Sequence, residues 1–335
     1  MAPASHDFLI SVVIPVHNAE KTLQTTLDSV FAQEGVDLEV IAVDDASADG
    51  TAPLLAQAAA NDPRLRVLTL DANRGQSAAL NRGIAAATGD FVKFLDADDL
   101  LSPGHLAVQA ASLEGTERHL SACRWASFRD SIKGAEPRNE HTARDYTSSR
   151  EWILDSMEHD EGMMPGWRWL IPRAVLDDVR GWNERLSLNN DFEFSIRLLD
   201  HADGIRFAPE AILYYRQGIA GTLSKRFSRT AAESAWLTTR LGCDRILAWG
   251  DTPRSRRLCA DRMQDWLFRL YPEHPDLAAE ADQAIARLGG SERKLQGGRV
   301  LRMLSPILNW KQIRKLQVLA YRHGWPLDLK RRRAT

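Results

Sequence analysis

The chain has 335 residues, of which 44% are apolar and 26% charged, and its formal net charge is −2. These values are ordinary for a globular protein and exclude a disordered chain, a collagen and a disulfide-dense mini-protein. The three cysteines, Cys123, Cys243 and Cys259, are far apart in sequence and form no Cys-x-x-Cys pair. We therefore expect reduced thiols, and neither a disulfide framework nor a zinc site.

The N-terminal residues lack the pattern of a secretion signal, and no run of about 18 uncharged apolar residues occurs. We therefore expect a soluble, cytoplasmic protein. The net charge argues against nucleic-acid binding. The charge is nevertheless uneven, because residues 291–335 hold twelve Lys and Arg against two acidic residues, which leaves −12 on the rest of the chain.

The first hundred residues alternate between strand and helix patterns. Strands are predicted over residues 9–15, 38–43, 65–70 and 91–95. Helices are predicted over residues 19–33, 49–60 and 76–87. Strands separated by helices of this length indicate βαβ units, so we expect an α/β fold with a mostly parallel, Rossmann-like sheet flanked by helices.

The rest of the chain is less regular until a helical region begins. Strands are predicted over residues 122–128 and 211–216, and helices over residues 149–157 and 191–199. From about residue 226 the pattern is helical throughout, over residues 231–249, 253–270, 276–288 and 306–323. We therefore predict an α/β domain over residues 1–225 and a helical C-terminal region with a basic tail over residues 226–335.

Each of the four N-terminal strands ends in polar residues. These residues are His17 and Asn18, Asp44 and Asp45, Asp71 and Asn73, and Asp96 and Asp98. Ligands of parallel α/β sheets bind at the carboxyl ends of the strands, so this edge is a candidate site.

The Asp96-Ala97-Asp98 segment is the candidate metal site. Two carboxylates that converge in a turn suit Mg²⁺ or Mn²⁺, which also take phosphate oxygens. In isolation, an Asp-x-Asp favours an acidic turn that caps the next helix. No dinucleotide-binding G-x-G-x-x-G and no P-loop sequence occurs, so a phosphate here is better assigned to a metal ion and Arg74. A surface salt bridge is the alternative for Arg74.

Three segments together resemble the family 2 glycosyltransferases: SVVIPVHNAEKTLQTTLDSVFAQ, LEVIAVDDASADGT and DANRGQSAALNRGIAAATGDFVKFLDADDLL. The resemblance is continuous over residues 9–105 and extends in outline to residue 225. It implies a GT-A fold and an inverting enzyme that uses a nucleotide-sugar donor, with UDP as the usual nucleotide, and Mn²⁺ or Mg²⁺.

The resemblance also implies a role for each matching residue. On the donor side it places Pro15, His17 and Asn18 beside the nucleotide base, Asp45 in contact with the base, Asp96 at the ribose, and Asn73 and Arg74 in the donor pocket. Gln76 is the alternative to Arg74. Asp98 is the implied metal ligand, and we count Asp96 with it.

The segment GWNERLSLNNDFEFSIRL resembles the part of the family pattern that carries the catalytic base, which Asp191 matches. In an inverting transfer, this carboxylate takes the proton from the acceptor hydroxyl. Asn190 stands where the family usually has an acidic residue, which leaves one like charge fewer beside Asp191. Without the resemblance, a helix N-cap is the favoured interpretation of Asp191.

Trp167 and Asn190 are the candidate acceptor residues. An aromatic face stacks on sugar C–H groups, although burial in the core is the alternative for Trp167. The chain lacks the Q-x-x-R-W motif and the membrane helices of the family's processive synthases, so we expect one sugar per encounter. The expected acceptor is a glycan or a lipid-linked glycan in cell-surface polysaccharide assembly.

Two other functions stay open. A nucleotidyltransferase that makes an activated sugar would have a glycine-rich basic loop after the first strand, and residues 16–20 contain no glycine. A catalytically inactive GT-A scaffold would not need the acidic residues Asp45, Asp96, Asp98 and Asp191.

Residues 299–335 contain a predicted amphipathic helix and a polybasic end. One face of that helix has Ile307, Trp310, Ile313, Leu316, Gln317 and Ala320, with basic residues around it. Such a segment can hold a protein peripherally on the anionic inner face of a membrane. A helix packed on the protein core, with a solvated basic rim, is the alternative.

Overall fold

The computed structural model describes residues 8–161, 164–218, 228–295 and 307–322. The chain divides into two compact units, Met1–Arg226 and Phe227–Thr335. The predicted boundary at residue 225 lies outside the described residues.

The first unit alternates strands and helices. In chain order these are β1 (Leu9–Val16), α1 (Leu23–Phe31), β2 (Asp37–Asp44), α2 (Thr51–Asn61), β3 (Leu65–Thr69), α3 (Gln76–Ala86), β4 (Phe91–Phe94), β5 (Leu100–Leu101), α4 (His105–Ser112), β6 (Leu120–Phe128), α5 (Ser149–Glu158), β7 (Trp169–Pro172), α6 (Arg173–Val179), α7 (Asn190–His201) and β8 (Ile205–Arg216). A 3-10 helix, Gly166–Arg168, precedes β7.

The eight strands form one sheet in the order β3-β2-β1-β4-β7-β6-β8-β5. Strands β1 to β4 pair in parallel, as do β6 and β8. Strand β7 is antiparallel to both β4 and β6, and β5 is antiparallel to β8. The predicted α/β fold is therefore confirmed, with a mixed sheet in its second half.

The core explains why the N-terminal strands were recognisable. Val12, Val13 and Ile14 are fully buried, as expected for a parallel strand covered by helices on both faces. Helix α1 buries Leu23 and Leu27 at a spacing that places them on one face. This packing leaves the carboxyl ends of β1 to β4 at one edge of the sheet.

Two local differences from the sequence predictions affect the site. Helix α1 begins at Leu23 rather than at residue 19, because residues 18–22 form a turn. In that turn Asn18 has a left-handed φ of 51°, and the N–H groups of Asn18 and Ala19 donate to Ser47 and Thr51 beyond β2. Strand β7 was not predicted, because its four residues are too few to form a recognisable apolar run.

The second unit is helical, with α8 (Arg229–Trp249), α9 (Pro253–Leu270), α10 (Pro275–Arg287) and α11 (Trp310–Arg322). Helix α9 begins with a capping box, in which Thr252 and Ser255 bond each other's backbone N–H, and with Pro253 at its first position. Among the residues that the structure describes, no helix is both long and apolar enough to cross a membrane.

Helix α11 uses part of its predicted membrane face for packing. Trp310 lies edge-on against Phe268 and Tyr271, and Ile313, Gln317 and Ala320 are buried. Ile307 and Leu316 on the same predicted face are exposed. Residues 299–306 and 323–335 of the predicted tail lie outside the described residues.

Candidate active site

Three carboxylates converge in the turn that follows β4. The N–H of Asp99 donates to the carbonyl of Asp96 at 3.1 Å and closes this turn. One oxygen from each of Asp96, Asp98 and Asp99 lies within 4.8 Å of the others. Asp96 and Asp98 are partly exposed, whereas Asp99 is fully buried.

Burial, together with repulsion between neighbouring carboxylates, makes ionisation of the acidic turn unfavourable. Burial, followed by the charges of Asp98 and Asp191, raises the pKa of Asp96 to about 8. Burial also raises the pKa of Asp98, against the opposing charge of Arg216. Burial, followed by the charges of Asp98 and Asp96, raises the pKa of Asp99 well above its usual range. A bound cation would offset this repulsion.

The donor set suits a hard divalent cation. All three side chains offer carboxylate oxygens, which Mg²⁺ and Mn²⁺ prefer. The Oδ2 atom of Asp99 is buried and has no hydrogen-bond partner among the described residues. Buried polar atoms normally have a partner, so this oxygen supports the fit between the site and a cation.

Hydrogen-bond donors from other elements hold the acidic turn in place. The Gln76 side chain donates to Asp96 Oδ1 at 2.8 Å. The backbone N–H of Arg216 donates to Asp99 Oδ1 at 2.8 Å, and its Nε donates to the Asp98 carbonyl at 2.8 Å. Gln76, the sequence alternative to Arg74, therefore contacts the acidic turn, whereas the Arg74 side chain is exposed.

Asp191 lies in the first turn of α7, close enough to the acidic turn for its charge to raise the pKa of Asp96. Its Oδ1 accepts the N–H of Gly166 at 2.9 Å. Burial raises the pKa of Asp191 to about 6, although the Gly166 hydrogen bond opposes the rise. The carboxylate is thus held by an element outside its own helix, and its catalytic role stays a prediction.

Gly166 approaches Trp182 too closely to carry a side chain. A Cβ atom at residue 166 would lie 2.8 Å from the Trp182 ring. The absence of a side chain therefore lets this backbone reach Asp191.

Asp45 holds the loop that precedes α3. Its two carboxylate oxygens accept the backbone N–H groups of Arg74, at 2.7 Å, and Gly75, at 2.8 Å. Gly75 has a φ of 87°, which favours glycine. Each carboxylate oxygen has a second lone pair, so contact between Asp45 and a nucleotide base stays a prediction.

His17 links three of the predicted donor-side residues. Its Nδ1 lies 2.8 Å from the Asp45 carbonyl, which only accepts, so Nδ1 carries the proton. Its Nε2 lies 3.0 Å from the side-chain nitrogens of Asn18 and Asn73 and accepts from them. The orientation of Asn18 is fixed because its Oδ1 accepts the N–H of Ala48.

Pro15 lies within a strand, whereas the two acceptor candidates, Trp167 and Asn190, are buried side chains. Pro15 lies in β1 opposite Val43. Trp167 is only 3% exposed, and its ring lies 6.1 Å from those of Trp125 and Tyr215. Asn190 is buried and donates to Ser77 at 3.1 Å. Stacking of a sugar on Trp167 would require its ring to become uncovered, and both acceptor roles stay predictions.

Asp99, Tyr215 and Arg216 were missed as site residues. Burial raises the pKa of Tyr215 to about 12, with further contributions from Asp99, Asp96, Asp98 and Asp191. The charges of all four carboxylates therefore act on its hydroxyl. Tyr215 and Arg216 end the predicted strand over residues 211–216, so the rule that sites lie at strand ends was the available signal.

Curated relatives of the chain are glycosyltransferases and polysaccharide-biosynthesis proteins. The chain is 28% identical over 234 residues to the putative glycosyltransferase EpsH of Bacillus subtilis (strain 168), covering 67% of this chain and 65% of that protein. It is 44% identical over 97 residues to the succinoglycan biosynthesis protein ExoO of Rhizobium meliloti (strain 1021), covering 29% of this chain and 27% of that protein. These matches span less than two thirds of either relative.

Solved structures share the fold. S. aureus TarS 1-349 in complex with UDP-GlcNAc has a TM-score of 0.69 at 20% identity, covering 94% of this chain and 92% of that chain. The mannosyltransferase PcManGT from Pyrobaculum calidifontis, in complex with GDP-Man and Mn²⁺, has a TM-score of 0.55 at 16% identity, covering 95% and 87%. This likeness confirms the expected GT-A fold with C-terminal helices. Residues 11–180, about half of the chain, match the family described as "Glycosyl transferase family 2", so the chain belongs to that family.

Proposed function

We propose that the protein is an inverting, metal-dependent, non-processive glycosyltransferase. It transfers one sugar from a nucleotide-sugar donor, with UDP as the nucleotide, to a hydroxyl of a glycan or lipid-linked acceptor in cell-surface polysaccharide assembly. The observation that carries this proposal is the group of three converging carboxylates beside Asp191 at the carboxyl edge of the sheet.

The acidic turn supports binding of the donor diphosphate. Asp96 and Asp98 would hold Mn²⁺ or Mg²⁺, which would supply positive charge to the leaving nucleoside diphosphate. Arg216 holds the turn through the Asp98 carbonyl. Two structural neighbours, one in complex with UDP-GlcNAc and the other with GDP-Man and Mn²⁺, support a nucleotide-sugar donor and a divalent cation.

Asp191 has the properties that a general base needs. A pKa of about 6 leaves the carboxylate ionised at neutral pH, yet more basic than an ordinary aspartate. The Gly166 N–H fixes one oxygen, and the other oxygen is left to accept the proton of an acceptor hydroxyl. Asn190, which replaces an acidic neighbour, adds no like charge beside it.

The donor base would lie beside the group formed by His17, Asn18 and Asn73, where Asp45 fixes the adjoining loop. We also propose peripheral contact of residues 299–335 with an anionic membrane, supported by the polybasic sequence and by the exposed Leu316 of α11. A lipid-linked acceptor would be presented at such a surface.

The test of the activity is nucleotide release by the purified protein with Mn²⁺ and UDP-, GDP- or dTDP-sugars, with and without lipid-linked glycan acceptors. Release of UDP from UDP-sugars, lost on addition of EDTA, is the expected result. Diphosphate release from a nucleoside triphosphate and a sugar phosphate would instead indicate a nucleotidyltransferase. No release with any donor and acceptor would favour a non-catalytic role.

The test of the metal assignment is Asp98→Ala. We expect the variant to lose Mn²⁺-dependent binding of UDP, because the diphosphate charge is no longer compensated. Asp62→Ala, an aspartate paired with Arg64 far along the chain from the acidic turn, is the control. Wild-type, Mn²⁺-dependent UDP affinity in Asp98→Ala would contradict the assignment.

A further inference from the structure

Asp99 is not needed for an Asp-x-Asp motif, yet it is the most deeply buried carboxylate of the acidic turn. We propose that Asp99 is a third direct ligand of the divalent cation, held in its ligating position by the backbone of Arg216. This inference rests on the cation site of the proposed function.

The first argument is the unpartnered oxygen. Asp99 is 0% exposed, its Oδ1 accepts the Arg216 N–H at 2.8 Å, and its Oδ2 has no hydrogen-bond partner in the described part of the chain. A buried acceptor left without a partner is destabilising. A cation bound between Asp96, Asp98 and Asp99 would give this oxygen a partner.

The second argument is the pattern of supporting hydrogen bonds. Asp96 and Asp99 each have one oxygen held by a fixed N–H donor, from Gln76 and from Arg216 respectively. Carboxylates that ligate metals are usually held in this way, because an outer hydrogen bond fixes which oxygen faces the ion. The donors come from α3 and β8, so the two carboxylates are held by two different elements of the fold.

The third argument is distance. Ligand oxygens about 2.1 Å from one ion lie at most about 4.2 Å apart. One oxygen from each of the three side chains already lies within 4.8 Å of the others. Three carboxylates on one side of the ion occupy adjacent positions, with oxygens about 3 Å apart, so the side chains would approach one another by up to about 2 Å. The other positions would be left for diphosphate oxygens and water.

The test measures Mn²⁺ alone, without nucleotide or sugar. We expect Asp99→Asn, which keeps the side-chain shape, to bind Mn²⁺ more than about tenfold more weakly, since removal of even an outer partner of a metal ligand costs about that much. Water-proton relaxation should also count one more water on the Mn²⁺ bound to this variant. Asp44→Asn is the control, because Asp44 is also buried and accepts one backbone N–H, from Ser47, but lies two strands away from β4.

A second variant tests coordination directly. Asp99→Cys should prefer Cd²⁺ to Mn²⁺ and give a sulfur-to-cadmium charge-transfer band, because thiolates select soft metals. The wild-type protein is the baseline, since Cys123, Cys243 and Cys259 are buried. Circular dichroism verifies that both variants are folded.

Wild-type Mn²⁺ affinity in folded Asp99→Asn would overturn the inference. Weaker binding without an additional water would overturn direct ligation as well, since it would show only the loss of a nearby charge. The readouts involve no sugar transfer. Failure of all donors to react, with Asp99-dependent Mn²⁺ binding intact, would therefore reject the proposed activity and leave this inference standing.

Discussion

The two units of the chain have net charges of opposite sign. Met1–Arg226 contains 22 Lys and Arg against 34 Asp and Glu, whereas Phe227–Thr335 contains 21 against 11. In the first unit, like charges crowd at the acidic turn and a lysine, Lys93, is fully buried. In the second unit, described ion pairs such as those of Arg229 with Asp276 and of Arg256 with Asp251 lie at the surface.

This difference predicts different consequences of charge substitution in the two units. Exposed ion pairs are screened and contribute little to stability. Buried charges cost stability unless a partner compensates them. We therefore expect substitutions of buried charges in the first unit to have large, pH-dependent effects, and substitutions of surface charges in the second unit to have small, salt-dependent ones.

The largest expected effect is on turnover in Asp191→Asn. The variant keeps the shape of the side chain but cannot accept a proton, so turnover should fall by about 10²–10⁴-fold while donor binding is retained. Steady-state kinetics and UDP binding by calorimetry measure the two quantities. Near-normal turnover would remove Asp191 from the mechanism.

The raised pKa of Asp191 also predicts how the rate of sugar transfer falls at acidic pH. As the proposed base, Asp191 would have to be ionised, and its pKa is raised to about 6, so the wild-type rate should fall about tenfold per pH unit below that value. Rates are measured from pH 5 to 8 with saturating donor and Mn²⁺. A flat profile over this range would mean that Asp191 is not the base or that proton transfer does not limit the rate.

Lys93 provides a stability test of buried charge. Its Nζ donates to Gln109 at 2.7 Å, and burial lowers its pKa from 10.5 to about 8. Between these two values the unfolded chain binds a proton that the folded chain does not, so stability should rise with pH, by about 3 kcal/mol over the window.

Lys93→Met should remove this rise, because it has no proton to lose. Urea unfolding of both proteins from pH 7.5 to 10.5 measures the difference, and Asp276→Asn, at an exposed ion pair of the second unit, is the matched comparison. Parallel pH dependences in wild type and Lys93→Met would refute the assignment of the rise to Lys93.

The smallest expected effect concerns the basic tail. Replacing Lys330, Arg331, Arg332 and Arg333 by Gln should weaken co-sedimentation with anionic vesicles, most clearly at low salt. Replacing Arg229, Arg240 and Arg256, which already pair with acidic residues, is the control. Equal binding by wild type and the tail variant would argue for a tail that has no membrane role.

The sequence predicted those features that depend on the residues of a single segment. Continuous apolar runs that end in polar residues predicted β1 to β4 and the site edge, because parallel strands carry their ligands there. The contact between Asp99 and Arg216 joins residues 117 apart in sequence. It depends on β8 lying beside β5, which no periodicity reveals. The hydrogen bond between Gly166 and Asp191 could not be predicted either. Gly166 lies in the short helix before β7, and β7 is too short to be recognised from sequence.

The hydrogen bonds between Asp45 and the loop before α3 bear on how the proposed donor specificity could be altered by mutation. Asp45 holds backbone N–H groups of Arg74 and Gly75, and a backbone amide is present whatever the side chain at residue 74. The anchor is thus insensitive to the identity of that side chain, provided Gly75 keeps its left-handed conformation. If the proposed donor pocket is correct, residue 74 is therefore a position at which side chains can be exchanged without loss of the loop anchor, to select variants for other nucleotide sugars.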